Sequence, residues 1–274
     1  MKVLGIVGPP DEAARLADDV CAGAADNGAI ARVEATDEAA GSNAVSERHN
    51  LGDTGWTASG PGRDLDEMLD DLAPRMDYAV VVGFPNADIP TIALGKVDHV
   101  GETVLSGADA DAVATDDALA ALKDAPPHET LQSLVAEVKQ SPDETYAGAI
   151  ATFTGRVRER ENPDDPPTEF LEFEQYEGVA PERMQRIRDE LESREGVYEV
   201  RLHHRTGVVE AGEDIVFVVV LAGHRSEAFE TVSDGIDRLK AEVPLFKKEV
   251  TVEGEFWAHQ HDHPAETPGA EPES

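Results

Sequence analysis

The chain has 274 residues, 40% of them hydrophobic, and carries 57 acidic against 23 basic side chains for a formal net charge of −34. That length predicts two domains of ordinary size, and no apolar run reaches the roughly 18 residues that a membrane-spanning helix needs. A surface this acidic excludes non-specific binding to nucleic acid or to anionic membrane. It points to a solvent of very high salt, where charges are screened within about 3 Å.

The opening run Met1 to Gly8 is too short, and too quickly followed by glycine and proline, for a signal peptide, so a cytoplasmic protein is expected. It reads better as a buried strand over Val3–Val7, bounded by glycine. Residues 11–26 have helical composition, and their cysteine, Cys21, is the only one in the chain. No disulfide can therefore form within the chain and no cysteine cluster can hold a metal; a lone cysteine in an alanine-rich helix reads as a small hydrophobe. Ile30 to Val33 suggests a second strand, and 35–63 reads as a long loop or insertion. Leu65 to Leu72 looks helical, Tyr78 to Pro85 is a buried strand entering a turn, and short apolar pieces follow at 92–94 and 112–114. This alternation predicts an α/β domain with a mostly parallel sheet over residues 1–124.

Pro126 and Pro127 mark the boundary, and a helix over 129–139 opens the second half. Strands are expected at 146–153, 170–176, 197–204, 215–221 and 246–252. Helices are expected at 181–194, with proline near the start, and from a capping Ser226 to about Glu242, before Pro244. This is the pattern of an α+β domain over 126–262, followed by a disordered acidic tail at 263–274.

Clustered cations stand out against so acidic a background. Three of the seven lysines fall between 240 and 248. His224-Arg225-Ser226 sits between a strand and a helix, where free N–H groups and the helix dipole favour an anion; Arg225 can grip phosphate with two hydrogen bonds. A capped helix with a surface arginine explains the same residues equally well. Arg156 and Arg158 follow a glycine turn and share a side if the chain stays extended; a solvated basic turn is the plainer alternative. Lys240 and Lys247 flank Pro244, and Lys248 should face away from Lys247. Crowded cations favour proton release, which suits lysines to acid–base work near neutral pH. Together these groups point to a site for a small, anionic, phosphate-bearing substrate.

Five motifs in order carry a family likeness: Phe153-Thr154-Gly155-Arg156-Val157-Arg158, His204-Arg205-Thr206-Gly207, Gly212 to Val218, His224 to Phe229, and Leu239-Lys240 to Glu249. The chain resembles, over about 126–260, the large, catalytic subunit of molybdopterin synthase. That resemblance implies the α+β fold of that subunit and a sulfurtransferase of molybdenum cofactor biosynthesis. A ubiquitin-like small subunit ending in a Gly-Gly thiocarboxylate would deliver two sulfurs to cyclic pyranopterin monophosphate, forming the dithiolene of molybdopterin. The large subunits would form a homodimer within a heterotetramer. No cofactor and no metal are implied. By motif, Lys240 and Lys247 are the catalytic candidates. Arg156, Val157, Arg158, His224, Arg225, Lys240, Lys247, Lys248 and Glu249 are the substrate-binding candidates, with Phe153 in the pocket wall. The absence of cysteine from the second half agrees with sulfur arriving on another protein.

On its opening strand, on Asp77-Tyr78 to Val82-Gly83-Phe84, and on Ile89-Pro90 with Ile92 beyond, the first half resembles the accessory GTP-binding protein of molybdopterin-guanine dinucleotide synthesis, a P-loop-type fold. Its turn, Gly8-Pro9-Pro10-Asp11-Glu12-Ala13-Ala14-Arg15, lacks the Gly-Lys-Ser/Thr of a phosphate loop, and two carboxylates stand where a triphosphate would lie. No nucleotide binding is expected of it. A second reading makes the whole protein mainly an adaptor, whose first domain docks a cofactor-inserting or nucleotidyl partner.

Overall fold

The structure, a computed structural model, describes residues 1–36, 47–175 and 178–252, together with the backbone course of 254–259. The expected tail at 263–274 lies outside the described residues. Contacts divide the chain into two compact units, Met1–Ser133 and Leu134–Ser274.

The first unit contains β1 (Lys2–Val7), α1 (Pro10–Ala24), β2 (Ile30–Glu34), β3 (Arg48–Gly52), β4 (Gly55–Ser59), α2 (Leu65–Leu72), β5 (Tyr78–Val82), β6 (Thr91–Leu94), β7 (Thr103–Gly107) and α3 (Thr115–Asp124). Five strands form one sheet in the order β2-β5-β1-β6-β7, with every pairing parallel. Parallel strands are covered on both faces, so their side chains divide between two cores. Leu4 and Ile6 of β1 pack with Leu16 and Val20 of α1 and Leu122 of α3. Val3, one residue out of phase, packs with Leu69 of α2 on the other face. Asp64 caps α2 by accepting the Glu67 N–H at 2.8 Å.

Three features of this unit depart from the sequence reading. The stretch read as a long loop or insertion at 35–63 contains the β3–β4 hairpin, while 37–46 lie outside the described residues. The piece at 112–114 belongs to a short 3-10 turn (Ala110–Ala112) and the chain leading into α3, a ten-residue helix. α3 buries only Ala118 and Leu122 and opens with Asp116 and Asp117, so its apolar stripe is too thin to read. β7 is half-exposed at the sheet edge and lacks the continuous apolar run of a central strand.

α4 (Leu131–Val138) runs across the boundary between the units, and its N-terminus carries a reciprocal pair of hydrogen bonds between Thr130 and Ser133, each 3.0 Å. The second unit continues with β8 (Ala149–Arg156), β9 (Thr168–Gln175), α5 (Val179–Glu192), β10 (Val197–His204), β11 (Gly207–Glu210), β12 (Asp214–Ala222), α6 (Arg225–Glu242), β13 (Leu245–Thr251) and β14 (Gly254–His259). Its strands form two antiparallel sheets, β10-β12-β8 and β11-β9-β13-β14. The core of the first sheet joins Val200, Val218 and Val220 to Ile187 and Leu191 of α5 and Ile236 and Leu239 of α6. On the opposite face Arg201 binds Glu137 of α4 at 2.8 Å. A smaller core of Leu171, Phe173, Val209, Val157 and Ile215 lies against the second sheet. No described helix is long and apolar enough to cross a membrane.

Candidate functional site

Arg156 ends β8, and its guanidinium pairs with Asp214 across the ladder at 3.0 Å and donates to the Gly212 carbonyl. Arg158 is exposed and pairs with Glu161 at 3.4 Å. Val157 between them is 2% exposed and belongs to the smaller core. Of the three binding candidates in this segment, Val157 can therefore offer substrate only its backbone, and that is largely engaged: its N–H donates to Glu213 and its carbonyl accepts from Gly212, both at 2.9 Å. Phe153 is half-buried and packs against the core under α5 and α6, so its ring serves the β8 scaffold.

α6 begins two residues earlier than a Ser226 cap would place it. His224 is the N-cap, in extended conformation, and no side chain caps the helix. Ser226 instead donates its hydroxyl to the Glu227 carboxylate at 2.7 Å. That hydroxyl and the residue's own backbone N–H hold the Glu227 carboxyl below the usual range. His224 and Arg225 are exposed beside it.

Lys240 lies in the last turn of the same helix and is also exposed. Fifteen residues separate it from Arg225, which at the helical rise is about 22 Å. One chain thus places the His224–Arg225 pair and Lys240 at opposite ends of α6. The Val243–Pro244 turn then leads from Lys240 directly into β13. Among the described residues, Arg225 and Lys240 make no ion pair, although the chain carries a net charge of −34.

On β13 the two lysines face opposite ways, as strand alternation requires. Lys248 stands opposite Glu172 and pairs with it at 3.8 Å. Lys247 stands opposite the buried Phe173, and its ammonium lies 3.6 Å from Glu249. Glu249 in turn accepts the Thr168 hydroxyl at 2.7 Å. Sequence reading missed Thr168; nothing in the alternating pattern of β9 singles it out. Behind Phe173 lies His204, 8% exposed, with ring centroids 4.8 Å apart and Nδ1–H donated to the Arg205 carbonyl at 2.7 Å. Burial pushes the His204 pKa down, which favours a neutral ring.

A cleft of about 380 Å³ lies in the first unit, lined by Val104, Leu105, Ala121 and the carboxyl groups of Glu102, Asp117 and Asp124. That lining opposes an anionic ligand, and none of the candidate residues reaches it. No group of metal-ligating side chains occurs among the described residues.

At the turn after β1, a Cβ added to Gly8 (φ 146°) would stand 2.5 Å from the Leu94 carbonyl oxygen, so the turn closes against the end of β6. Glu12, in the first turn of α1, accepts from Arg15 at 2.7 Å and from the Ala110 N–H at 3.0 Å. Arg15 first, then Ala110, hold its carboxyl below the usual range.

The second unit is thus an α+β fold with exposed cations at the ends of its elements, and comparison with known proteins gives its family. The family model "MoaE protein" matches residues 127–242. A probable molybdopterin synthase of Haloferax volcanii is 52% identical over 264 residues, covering 94% of this chain and 99% of that protein. The molybdopterin synthase catalytic subunit of Pyrococcus abyssi is 40% identical over 116 residues, 42% of this chain and 77% of that protein. The X-ray structure of molybdopterin synthase from Staphylococcus aureus is similar at 31% identity, over 48% of this chain and 91% of that one, with a TM-score of 0.42. The chain belongs to the molybdopterin synthase family. Its relatives are named for the synthase, and none of them supports reading the chain mainly as an adaptor.

Proposed function

We propose that the second unit catalyses sulfur transfer from a thiocarboxylated, ubiquitin-like small subunit to cyclic pyranopterin monophosphate, forming the molybdopterin dithiolene. The observation that carries this is the pair Arg225 and Lys240: in a chain of net charge −34 they are exposed and, among the described residues, free of ion pairs, so both are available to an anion. Arg156, Arg158, His224 and Arg225 would hold phosphate and pterin. Lys240 would move the protons that adding sulfur and releasing the carboxylated tail require, with Lys247 as its partner. Lys248 and Glu249 complete the binding segment. With Cys21 as its only cysteine, the chain needs its sulfur from outside.

The length of α6 adds a requirement. About 22 Å along the helix axis separates the backbones of Arg225 and Lys240. In this reading the complete site draws the His224–Arg225 pair from a second copy, in the homodimer at the centre of a heterotetramer. The first unit keeps the all-parallel sheet of a P-loop-like domain. Its turn after β1 is closed by Leu94, and the first turn of α1 is filled by its own carboxylate, Glu12. This unit would bind no nucleotide phosphate.

Small subunit bearing a heavy-sulfur thiocarboxylate tests the chemistry. With the full chain and precursor, both sulfurs of the dithiolene should carry the label. Product formed without the label would contradict the reading.

A further inference from the structure

The sulfur-transfer reading leaves open what fixes Lys247, a half-buried lysine whose one ion pair among the described residues is loose. The answer lies in a defect of the β9–β13 ladder. Lys247 stands opposite Phe173, Glu249 opposite Leu171 and Val250 opposite Phe170, as regular antiparallel pairing requires. The next pair is Thr251 with Thr168, so Glu169 is passed over. A bulge of this kind re-aims the side chains beyond it. Without it, Thr168 would point with Phe170 and Glu172 to the opposite face, where Lys248 lies. With it, Thr168 joins the face of Thr251, Glu249 and Lys247. The backbone secures the distortion: the Glu169 carbonyl accepts from Ala211 at 2.9 Å and the Thr168 N–H donates to Glu159 at 2.8 Å.

We propose that Thr168 is a positioning residue: turned inward by the bulge at Glu169, its buried hydroxyl holds Glu249 and thereby sets where the Lys247 ammonium stands. This rests on the sulfur-transfer reading of the same site. Thr168 is 5% exposed, and its hydroxyl reaches one carboxylate oxygen of Glu249 at 2.7 Å. The other carboxylate oxygen lies 3.6 Å from Lys247, an ion pair too long for a hydrogen bond. The hydroxyl thus restrains the carboxylate from closing on the lysine. Glu249 keeps the ammonium oriented, and the protons of the ammonium stay available to substrate. A β-branched residue is also what a buried strand position accommodates well, so the role of the hydroxyl can be separated from that of the shape.

The test uses the full chain with thiocarboxylated small subunit and precursor, and two substitutions. Thr168→Val keeps the shape and removes the hydroxyl, freeing Glu249 to engage Lys247. The expected result is a kcat about tenfold lower with KM within about twofold, the scale of a hydrogen bond to a charged group. Thr168→Ser, which restores the hydroxyl, should recover most of the rate. A second readout is independent of turnover: competitive acetylation, read by peptide mass spectrometry, should show Lys247 labelled several-fold more slowly relative to Lys248 in Thr168→Val. The proposal is overturned if Thr168→Val matches wild type in both kcat and labelling ratio, or if Thr168→Ser is no better than Thr168→Val. Should wild type itself make no molybdopterin, the sulfur-transfer reading falls, and the labelling ratio still decides the role of Thr168.

Discussion

His204 shows how a residue of a family motif can serve the scaffold. It is buried behind Phe173, and desolvation holds its pKa below the ordinary value near 6.5. The unfolded chain therefore takes up a proton that the folded chain refuses. Stability from this group is fully present above about pH 6.5 and declines as the pH falls from there towards the lowered folded value. His204→Asn keeps a donor for the Arg205 carbonyl and cannot titrate. Denaturant unfolding from pH 7.5 to 5 at fixed salt should give a flatter loss of stability in the variant than in wild type; parallel curves would refute the assignment. The cations Arg156, Arg158, Arg225 and Lys240 were legible in sequence because cations are scarce in this chain and these stand at element ends. Val157 and Thr168 were not. Burial of the first depends on the register of another sheet, and the aim of the second depends on a bulge that leaves no mark on the hydrophobic pattern.

At the scale of elements, strands buried on both faces announced themselves. β1, β5 and β6 are short apolar runs between turn residues, and all three are central in the parallel sheet. Elements that bury little did not: α3 shows two buried side chains, β7 is a half-exposed edge, and β11 has four residues with only Val209 buried. The β1–α1 turn was legible for a different reason, since a phosphate loop is defined by particular residues that are missing here. The turn is occupied by the protein's own groups. Gly8 abuts Leu94, and the Glu12 carboxylate occupies the backbone N–H of Ala110 and the guanidinium of Arg15. Titration of the full chain with labelled GTP and magnesium should therefore show no saturable binding; a saturable isotherm that GDP competes away would show that the unit still cradles phosphate.

At the scale of the whole molecule, the net charge of −34 makes a cationic site costly to build by chance and simple to recognise. Most arginines are committed to carboxylates, as Arg201 is to Glu137 and Glu199 and Arg238 to Glu190 and Glu242. Among the described residues Arg225 and Lys240 are not, yet a single α6 holds their backbones about 22 Å apart. Motif order carries no distance, and in the proposed reading the helix length between them would divide the site between two copies. Two-fold symmetry would give a dimer two such composite sites. The most direct test measures molybdopterin formation by Lys240→Ala, by Arg225→Ala, and by an equimolar mixture of the two after subunit exchange, each with thiocarboxylated small subunit and precursor. Each variant alone should be slower than wild type by at least about 100-fold. The mixture should regain about a quarter of wild-type activity, because half of the dimers would be mixed and each would hold one intact site. A Lys240→Ala protein as fast as wild type, or a mixture no faster than its components, would contradict the account.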